Sequence, residues 1–232
     1  ETSMTDFVIE NGVLEEYTGN ETKVVIPDSV KEIGRCAFEG CESLKEITIP
    51  DSVKEIGRCA FWGCESLEKI IIPDSVTEIG EYAFSYCKNL ADENGFVIVK
   101  NVLHDYYGNA EKVIIPDSVK AIIEQAFSGC KSLKEIIIPD SVTEIGEDAF
   151  YNCISLKEII IPDSVTEIGT CAFEGCESLK EITIPDSVTE IGYKVFLGCE
   201  SLEKIIIPDS VTEIGTCAFS HCESLKEITI PD

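Results

Sequence analysis

A 23-residue motif repeats along this chain and constrains its fold more than any other feature. The segment Ile-Pro-Asp-Ser-Val recurs every 23 residues, apart from one longer step of 43 residues. The prolines that mark the copies are Pro27, Pro50, Pro73, Pro116, Pro139, Pro162, Pro185 and Pro208, with a partial copy at Pro231. A repeat of this length is typical of solenoids, in which each copy forms one structural unit and neighbouring units stack.

Constant and variable positions within a copy separate the expected core from the expected surface. Between residues 139 and 161, the constant apolar positions are Val142, Ile145, Ala149, Phe150, Cys153, Leu156, Ile159 and Ile161. The positions expected to face solvent are Thr143, Glu144, Glu147, Asp148, Lys157, Glu158 and Ile160. A single copy buries too little apolar surface to offset its loss of conformational entropy, so neighbouring copies must stack. Stacked strands then lie about 4.8 Å apart.

Local patterns within a copy predict how the backbone runs. The copy ends in an alternating apolar pattern that predicts a strand, which the following proline ends. A second short extended segment is predicted around Ile145. Gly146 is then predicted to turn the chain into a short helical segment over residues 148–150. Asn152, which is Gly in most other copies, suits a left-handed exit from that segment.

These patterns predict an α/β repeat solenoid. We expect a parallel sheet on one face and a second line of short strands and short helical turns on the other. One phenylalanine per copy should stack into a continuous aromatic column, formed by Phe38, Phe61, Phe84, Phe127, Phe150, Phe173, Phe196 and Phe219.

Two irregular segments divide the repeats into two arrays. Residues 7–14 alternate around Asn11-Gly12, which is a strong hairpin signal, and residues 96–103 repeat the same pattern. We therefore predict a hairpin-headed array over residues 1–90 and a second hairpin with a longer array over residues 91–232. The two arrays are expected to form one continuous solenoid.

The repeat resembles the BspA-like leucine-rich repeats. The resemblance lies in the unit Leu-x-x-Ile-x-Ile-Pro-Asp-Ser-Val-x-x-Ile-Gly-x-x-Ala-Phe-x-x-Cys and in the hairpin pattern Phe-x-Ile-x-x-x-x-Leu, and it covers nearly the whole chain. It implies a leucine-rich-repeat superhelix, often on bacterial surfaces, that binds host or matrix proteins. The chain departs from the pattern at Ala121, Ile123 and Val195, where Glu, Gly and Ala are usual. The departures at Ala121 and Ile123 leave the backbone path over residues 121–124 open.

Twelve cysteines form two columns with different expected roles. The eight at the repeat position are expected to point inward as small apolar side chains: Cys41, Cys64, Cys87, Cys130, Cys153, Cys176, Cys199 and Cys222. Four more lie five residues earlier, at Cys36, Cys59, Cys171 and Cys217, and are expected to be exposed. Stacking would bring Cys36 and Cys59 close enough for a disulfide. The cysteine spacing also resembles a zinc site, but side chains that point in parallel do not converge as a metal requires. Cys171 and Cys217 lie two copies apart, too far to bridge.

The remaining polar residues give weak signals for chemistry. The aspartate that follows each proline suits turn stabilisation by its carboxylate, with calcium binding as the alternative. The two histidines, His104 and His221, lie in no nucleophile motif, and the chain has no glycine-rich phosphate loop. We expect no enzyme activity, no cofactor and no metal site.

One outward residue per copy of the predicted sheet forms the sharpest candidate site. Six of these nine residues are Ile or Val, and the nine are Val25, Thr48, Ile71, Ile114, Ile137, Ile160, Thr183, Ile206 and Thr229. A charged row lies two residues earlier, at Lys23, Glu46, Lys69, Lys112, Glu135, Glu158, Glu181, Lys204 and Glu227. An exposed apolar stripe indicates a contact surface, although β-propensity alone also favours branched residues here. Trp62 and Tyr151 are secondary contact candidates on the lateral or convex side.

Charge narrows the range of partners. The net charge of −26 repels nucleic acid and anionic lipid headgroups, and no apolar run is long enough to cross a membrane. By resemblance, we expect a secreted or cell-surface recognition or adhesion module that binds a protein or another macromolecule. The alternative is a structural spacer that presents another domain, and a weaker one is metal-dependent assembly. The array stops inside a repeat at Asp232 without a polar cap, so we expect further sequence or paired chain ends.

Overall fold

The fold is known from a computed structural model that describes residues 3–232. The chain divides into two compact units, residues 1–100 and residues 101–232. The predicted boundary at residue 90 and the continuity of the solenoid therefore remain predictions.

Both units consist of short strands joined by turns. The strands of the first unit are β1 (Phe7–Glu10), β2 (Val13–Tyr17), β3 (Lys23–Val25), β4 (Glu32–Ile33), β5 (Glu46–Thr48), β6 (Glu55–Ile56), β7 (Lys69–Ile71), β8 (Glu78–Ile79) and β9 (Phe96–Val99). The strands of the second unit are β10 (Val102–Tyr106), β11 (Lys112–Ile114), β12 (Ala121–Ile122), β13 (Glu135–Ile137), β14 (Glu144–Ile145), β15 (Glu158–Ile160), β16 (Glu167–Ile168), β17 (Glu181–Thr183), β18 (Glu190–Ile191), β19 (Lys204–Ile206), β20 (Glu213–Ile214) and β21 (Glu227–Thr229).

Within each sheet, the strands of successive copies pair in parallel and in register, which confirms the predicted stacking. In the first unit, β3, β5 and β7 form one sheet, and β2, β4, β6 and β8 form a second sheet that β1 extends. In the second unit, β11, β13 and β15 form one sheet, and β10, β12, β14 and β16 form another. The last copies form two further sheets, β17-β19-β21 and β18-β20.

The two hairpin signals mark real turns. β1 and β2 pair antiparallel around Asn11 and Gly12, whose φ angles are 51° and 79°. Lys100 and Asn101, at the corresponding place between β9 and β10, also have positive φ angles, 50° and 64°. The Lys100 ammonium donates to the carbonyl of Val76 at 2.6 Å, which holds the end of β9 against its own unit.

The predicted helical turns are wrong. The described residues contain only two short 3-10 helices, Met4–Asp6 and Lys88–Leu90, so the solenoid is built of strands and turns rather than α/β. At the expected helix, Asp148 has a φ of 55°, which a right-handed helix excludes. The Phe150 N–H then donates to the Ala172 carbonyl of the next copy (2.8 Å) instead of to its own segment.

The left-handed residue falls at one position in every copy, before the buried Ala or Val. This position holds Cys36, Cys59, Tyr82, Gln125, Asp148, Lys194, Cys171 and Cys217, all with φ between 55° and 62°. The predicted left-handed exit four residues later is confirmed, at Gly40, Gly63, Tyr86, Gly129, Asn152, Gly175, Gly198 and His221. Two left-handed residues per copy make the successive tight turns on this side.

The glycine that follows the second strand lets neighbouring copies approach closely. A Cβ on Gly57 would lie 2.9 Å from the backbone nitrogen of Arg35 and 2.9 Å from the carbonyl oxygen of Ile33, both in the preceding copy. Gly57 itself donates its N–H to Ile33 at 2.7 Å. Its role is therefore close packing of backbone against backbone rather than an unusual φ.

The backbone over residues 121–124, whose path the sequence left open, pairs as it does in the other copies. β12 pairs in parallel with both β10 and β14. Ile123 stands where glycine is usual, and its N–H reaches the Leu103 carbonyl at 3.1 Å, against 2.8 Å for Gly34 and Leu14 in the first unit. A slightly longer bond accommodates the side chain.

A continuous stack of phenylalanine rings fills the core of each unit. The rings of Phe38, Phe61 and Phe84 stack with centroid distances of 5.1 and 5.4 Å. In the second unit, the stack runs from Phe127 to Phe219 with distances of 5.3 to 5.7 Å. The hairpin tyrosine caps each stack, since Tyr17 packs on Phe38 and Tyr106 on Phe127. The predicted aromatic column is thus present in each unit.

A methyl group at the close-approach glycine should destabilise the fold more than one at an exit glycine. We expect Gly57→Ala to lower Tm by about 5–10 °C, because backbone atoms must move to admit the Cβ. Gly40→Ala is the control: its φ is 68° but no atom lies within 4 Å of the added Cβ. It should cost only the left-handed strain of about 1 kcal/mol. Equal losses of Tm in thermal denaturation would contradict this role of Gly57.

Candidate functional site

The outward side chains of the three-residue strands form the candidate ligand face. The middle residue of each strand is buried in most copies, as at Ile136 and Ile159, so the residues before and after it share the opposite side. The aliphatic residues of this face are strongly exposed: Val25 60%, Ile71 47%, Ile114 62%, Ile137 43%, Ile160 82% and Ile206 49%. Thr183 and Thr229 are exposed and Thr48 is half-buried. The predicted outward orientation is confirmed.

Register brings the aliphatic residues into short continuous columns. In the second unit, Ile114 lies opposite Ile137, and Ile137 lies opposite Ile160. Three isoleucines on adjacent strands therefore form one apolar strip. The columns of the other two sheets mix Thr with Ile or Val, at Val25-Thr48-Ile71 and Thr183-Ile206-Thr229.

The charged row runs beside this column on the same face. Glu46 lies between Lys23 and Lys69, with N–O distances of 3.8 and 3.6 Å. Lys112 meets Glu135 at 3.8 Å. The other members, Glu158, Glu181, Lys204 and Glu227, are exposed. Ion pairs at this exposure contribute little to stability, so the row presents charges to solvent instead of fixing the fold.

The two secondary contact candidates differ in exposure. Trp62 is 37% exposed and makes an edge-on contact with Tyr86, whose ring centroid lies 5.1 Å away. Tyr151 is half-buried. Tyr86 is 53% exposed and left-handed, with a φ of 60°, at a position that is glycine in five copies. Tyr86 was not among the predicted contact residues, because nothing in the sequence places it against Trp62.

Five of the eight inner cysteines are buried in the core, as predicted, whereas Cys41, Cys130 and Cys222 are half-buried. The Sγ of Cys64 donates to the Phe38 carbonyl at 3.0 Å, and that of Cys153 to the Phe127 carbonyl at 3.1 Å. Burial raises the pKa of the Cys153 thiol, and burial with the nearby Asp105 carboxylate raises the pKa of Cys130 to about 11. These thiols stay protonated at neutral pH and are poor nucleophiles.

The outer cysteines are less exposed than expected. Cys217 is exposed, whereas Cys36, Cys59 and Cys171 are half-buried. All twelve cysteines are free thiols. Burial and a hydrogen bond with Glu174 raise the pKa of Cys171 to about 12.

The aspartates after proline do not stabilise their turns as predicted. Each turn is closed by the backbone, as in the bond from the Val30 N–H to the Pro27 carbonyl (3.1 Å). Within residues 3–232, the Asp28 carboxylate makes no hydrogen bond to that turn. In the same part of the chain, no three His, Cys, Asp or Glu side chains come together in a way that could hold a metal ion.

The histidines lie apart from the ligand face. His104 is 5% exposed within β10, and His221 is exposed at the exit of the last turn. Among the described residues, no helix has the length and apolar character needed to cross a membrane.

Like charges also stack in the two-residue strands. Glu144 pairs in register with Glu167 of the next copy. Glu124 belongs to the preceding copy. Burial, together with the Glu167 and Glu124 carboxylates, raises the pKa of Glu144. In the first unit, Glu32 and Glu78 raise the pKa of Glu55 in the same way. The stacking that aligns the core thus also aligns repelling carboxylates.

The repeat geometry agrees with the comparison to protein families. The family model for the BspA-type leucine-rich repeat region matches residues 8–95 and 97–226, in six copies. The chain belongs to this family. Among curated proteins, none matches the chain.

Solved structures of bacterial leucine-rich repeat proteins have a similar fold. A leucine-rich cell surface protein from Faecalibacterium prausnitzii is 29% identical, with a TM-score of 0.57, and the match covers 96% of this chain and 92% of that protein. A leucine-rich repeat protein from Bacteroides ovatus is 31% identical, with a TM-score of 0.52 and coverage of 96% and 68%. One from Eubacterium ventriosum, at 23% identity, a TM-score of 0.57 and coverage of 94% and 78%, supports the fold alone.

Removing one charge from the glutamate column should stabilise this BspA-type protein at neutral pH. Because the folded-state pKa of Glu144 is raised, its ionisation disfavours folding as the pH rises through that pKa. Glu144→Gln should therefore raise Tm at pH 7, and the gain should vanish below about pH 4, where the unfolded carboxyl is also protonated. Glu93→Gln, which removes an exposed charge from the segment between the two arrays, outside any repeat position, is the control. A gain that persists at pH 3 would refute the electrostatic cause.

Proposed function

We propose that this protein is a recognition module that binds a macromolecular ligand, in particular a protein, through the exposed face of its three-residue strands. The observation that supports the proposal most strongly is the strip formed by Ile114, Ile137 and Ile160, with exposures of 62%, 43% and 82%. Solvent-facing strand positions on a half-buried sheet are usually polar, so three adjacent exposed isoleucines favour a contact surface. Leucine-rich repeat families supply protein-interaction scaffolds, which agrees with binding rather than catalysis.

The charged row beside the strip would select among ligands. An apolar centre with a polar rim is the usual arrangement of a protein interface. Glu135, Glu158 and Glu181 make the rim of the second unit mainly acidic, with Lys112 and Lys204 at intervals. With a net charge of −26 over the chain, a ligand with a basic surface would associate faster than an acidic one.

We also propose that the protein acts at the cell surface or outside the cell. The support is the description of the F. prausnitzii protein as a cell surface protein, together with membership of the family. Trp62 and Tyr86 would add a secondary contact, because exposed aromatic pairs are frequent in interface hot spots.

Introducing positive charge among the exposed isoleucines tests the ligand face. We expect Ile137→Lys, Ile160→Lys and Ile206→Lys, combined in one variant, to weaken binding at least about tenfold, since each lost anchor costs more than about 1 kcal/mol. Binding would be measured against an array of extracellular proteins and glycans, with Tm measured in parallel. The control variant carries Thr143→Lys, Thr166→Lys and Thr212→Lys, which adds the same charge at exposed positions of the other strand line.

Three outcomes are informative. Loss of binding in the isoleucine variant alone supports the ligand face. Equal binding by both variants rejects this face as the site. Failure of the parent protein to bind any array member favours the spacer function instead.

A further inference from the structure

One interface between neighbouring copies in the second unit is open on its strand side. Segment 157–169 contains β15 and β16, and segment 180–192, one repeat later, contains β17 and β18. β15 does not pair with β17, and β16 does not pair with β18, although the equivalent strands pair before and after this place. Both strand lines of the described second unit therefore break between the same two segments.

Backbone hydrogen bonds that join other copies are missing at this interface. Lys157 N–H donates to the Lys134 carbonyl and Glu203 N–H to the Lys180 carbonyl, both at 2.9 Å. The equivalent bond from the Lys180 N–H to Lys157 is absent from the described chain. The amides of Thr189 and Gly192 also lack the bonds that their counterparts make in the copies on either side.

The distance between the copies increases where these bonds are missing. A Cβ built on Gly215 would lie 2.6 Å from the carbonyl carbon of Gly192, in the preceding copy. A Cβ on Gly192 would meet no atom of its preceding copy within 4 Å, and its nearest neighbour is Cγ2 of Val195 at 4.0 Å. Ile168, which faces the gap, is 7% exposed, whereas Ile145 is fully buried.

The opposite side of the same interface is closed. The Phe173 N–H donates to the Val195 carbonyl at 3.0 Å, and the Cys171 N–H donates to the Tyr193 carbonyl at 3.0 Å. The rings of Phe173 and Phe196 remain stacked, with centroids 5.6 Å apart. The two copies thus form a wedge that is closed along the phenylalanine stack and open along the strands.

Val195 lies at the point where the wedge begins to open. Every other copy has alanine here, and the alanine N–H closes a turn onto the carbonyl of the residue three positions earlier, as from Ala172 to Gly169 at 3.2 Å. Val195 is 1% exposed, and its N–H makes no such bond to Gly192 within the described residues. A buried valine in a space shaped for alanine must displace its neighbours. Its Cγ2 lies 4.0 Å from the point that a Cβ on Gly192 would occupy, so the valine side chain borders the Gly192 turn.

We infer that the interface between segments 157–169 and 180–192 is a hinge, opened by the Val195 side chain and pivoting on the stacked Phe173 and Phe196 rings. The segments still touch through the Ser187 hydroxyl, which donates to the Val165 carbonyl at 2.5 Å. The blocks on either side keep their own ladders and move as units. Few backbone bonds oppose their relative motion, so this interface is the most easily opened in the second unit.

The hinge crosses the outward face of the strands. Ile160, at 82% exposure, lies on one side of it and Thr183 on the other. Opening or closing the wedge changes the spacing of these two residues and the curvature of the face around them. The face can therefore adapt its shape at one defined place.

Amide hydrogen exchange on the full chain tests the hinge. In the parent protein, the amides of Thr189 and Gly192 should exchange at least about tenfold faster than those of Thr166 and Gly169. Val195→Ala should restore the turn and the ladder and leave Tm equal or higher. The amides of Thr189 and Gly192 should then exchange as slowly as those of Thr166 and Gly169. Val142→Ala, which removes the same two methyl groups from another copy, should lower Tm by about 5 °C with no gain in protection.

Gly192→Ala gives an independent measurement of the gap. Because the added Cβ would make only an ordinary van der Waals contact, with Cγ2 of Val195 at 4.0 Å, Tm should change by less than about 2 °C, in contrast to Gly57→Ala. Slow exchange of Thr189 and Gly192 in the parent would overturn the hinge itself. Unchanged fast exchange in Val195→Ala would overturn the assignment of its cause.

Discussion

The in-register backbone ladder between successive copies is the interaction on which the rest of this structure depends. Each copy is too small to bury its own apolar residues, so every core position is completed by the same position in the next copy. The bond from Gly57 to Ile33 at 2.7 Å shows how closely the backbones must approach. Once this spacing is fixed, like side chains lie over one another within each ladder of a unit.

This alignment produces both the contacts that stabilise the fold and the like-charge repulsion within it. It stacks phenylalanine rings about every 5 Å and gives each buried cysteine thiol a carbonyl acceptor in a neighbouring copy. It also stacks glutamates such as Glu144 and Glu167, whose repulsion raises a pKa. On the outward face, the same rule turns single isoleucines into a strip. A surface of this kind arises from one residue per copy, so it can change by point substitution without change of fold.

Periodic features of the sequence were sufficient to predict most of the architecture. The inward set around Phe150, the outward Ile160 and the left-handed exit at Asn152 follow from constancy and turn chemistry, because stacking imposes the same environment on every copy. The helical turn was predicted wrongly. Its left-handed residue is Cys, Tyr, Gln, Asp or Lys, none of which signals that conformation in the way glycine does, and the N–H groups there bond to the next copy.

Features that belong to a single copy were the least predictable. Val195 stood out in the sequence only as a larger residue in an alanine column, and its effect on the Gly192 turn depends on how tightly the copies pack. Tyr86 meets Trp62 only because the stacking brings two different copies together. The ligand face was predicted as a surface from its pattern, whereas its ligand is not encoded in that pattern, since exposed isoleucines define an apolar contact without specifying its partner.

Solvent accessibility of individual isoleucine methyl groups tests the stacking account most directly. In an NMR spectrum of isoleucine-methyl-labelled protein, a soluble paramagnetic agent should strongly attenuate the signals of Ile114, Ile137, Ile160 and Ile206. The signals of Ile136, Ile159 and Ile205, one residue earlier on the same strands, should persist. A shift of one residue in register would exchange the two sets, and equal attenuation of both would mean that the copies do not stack.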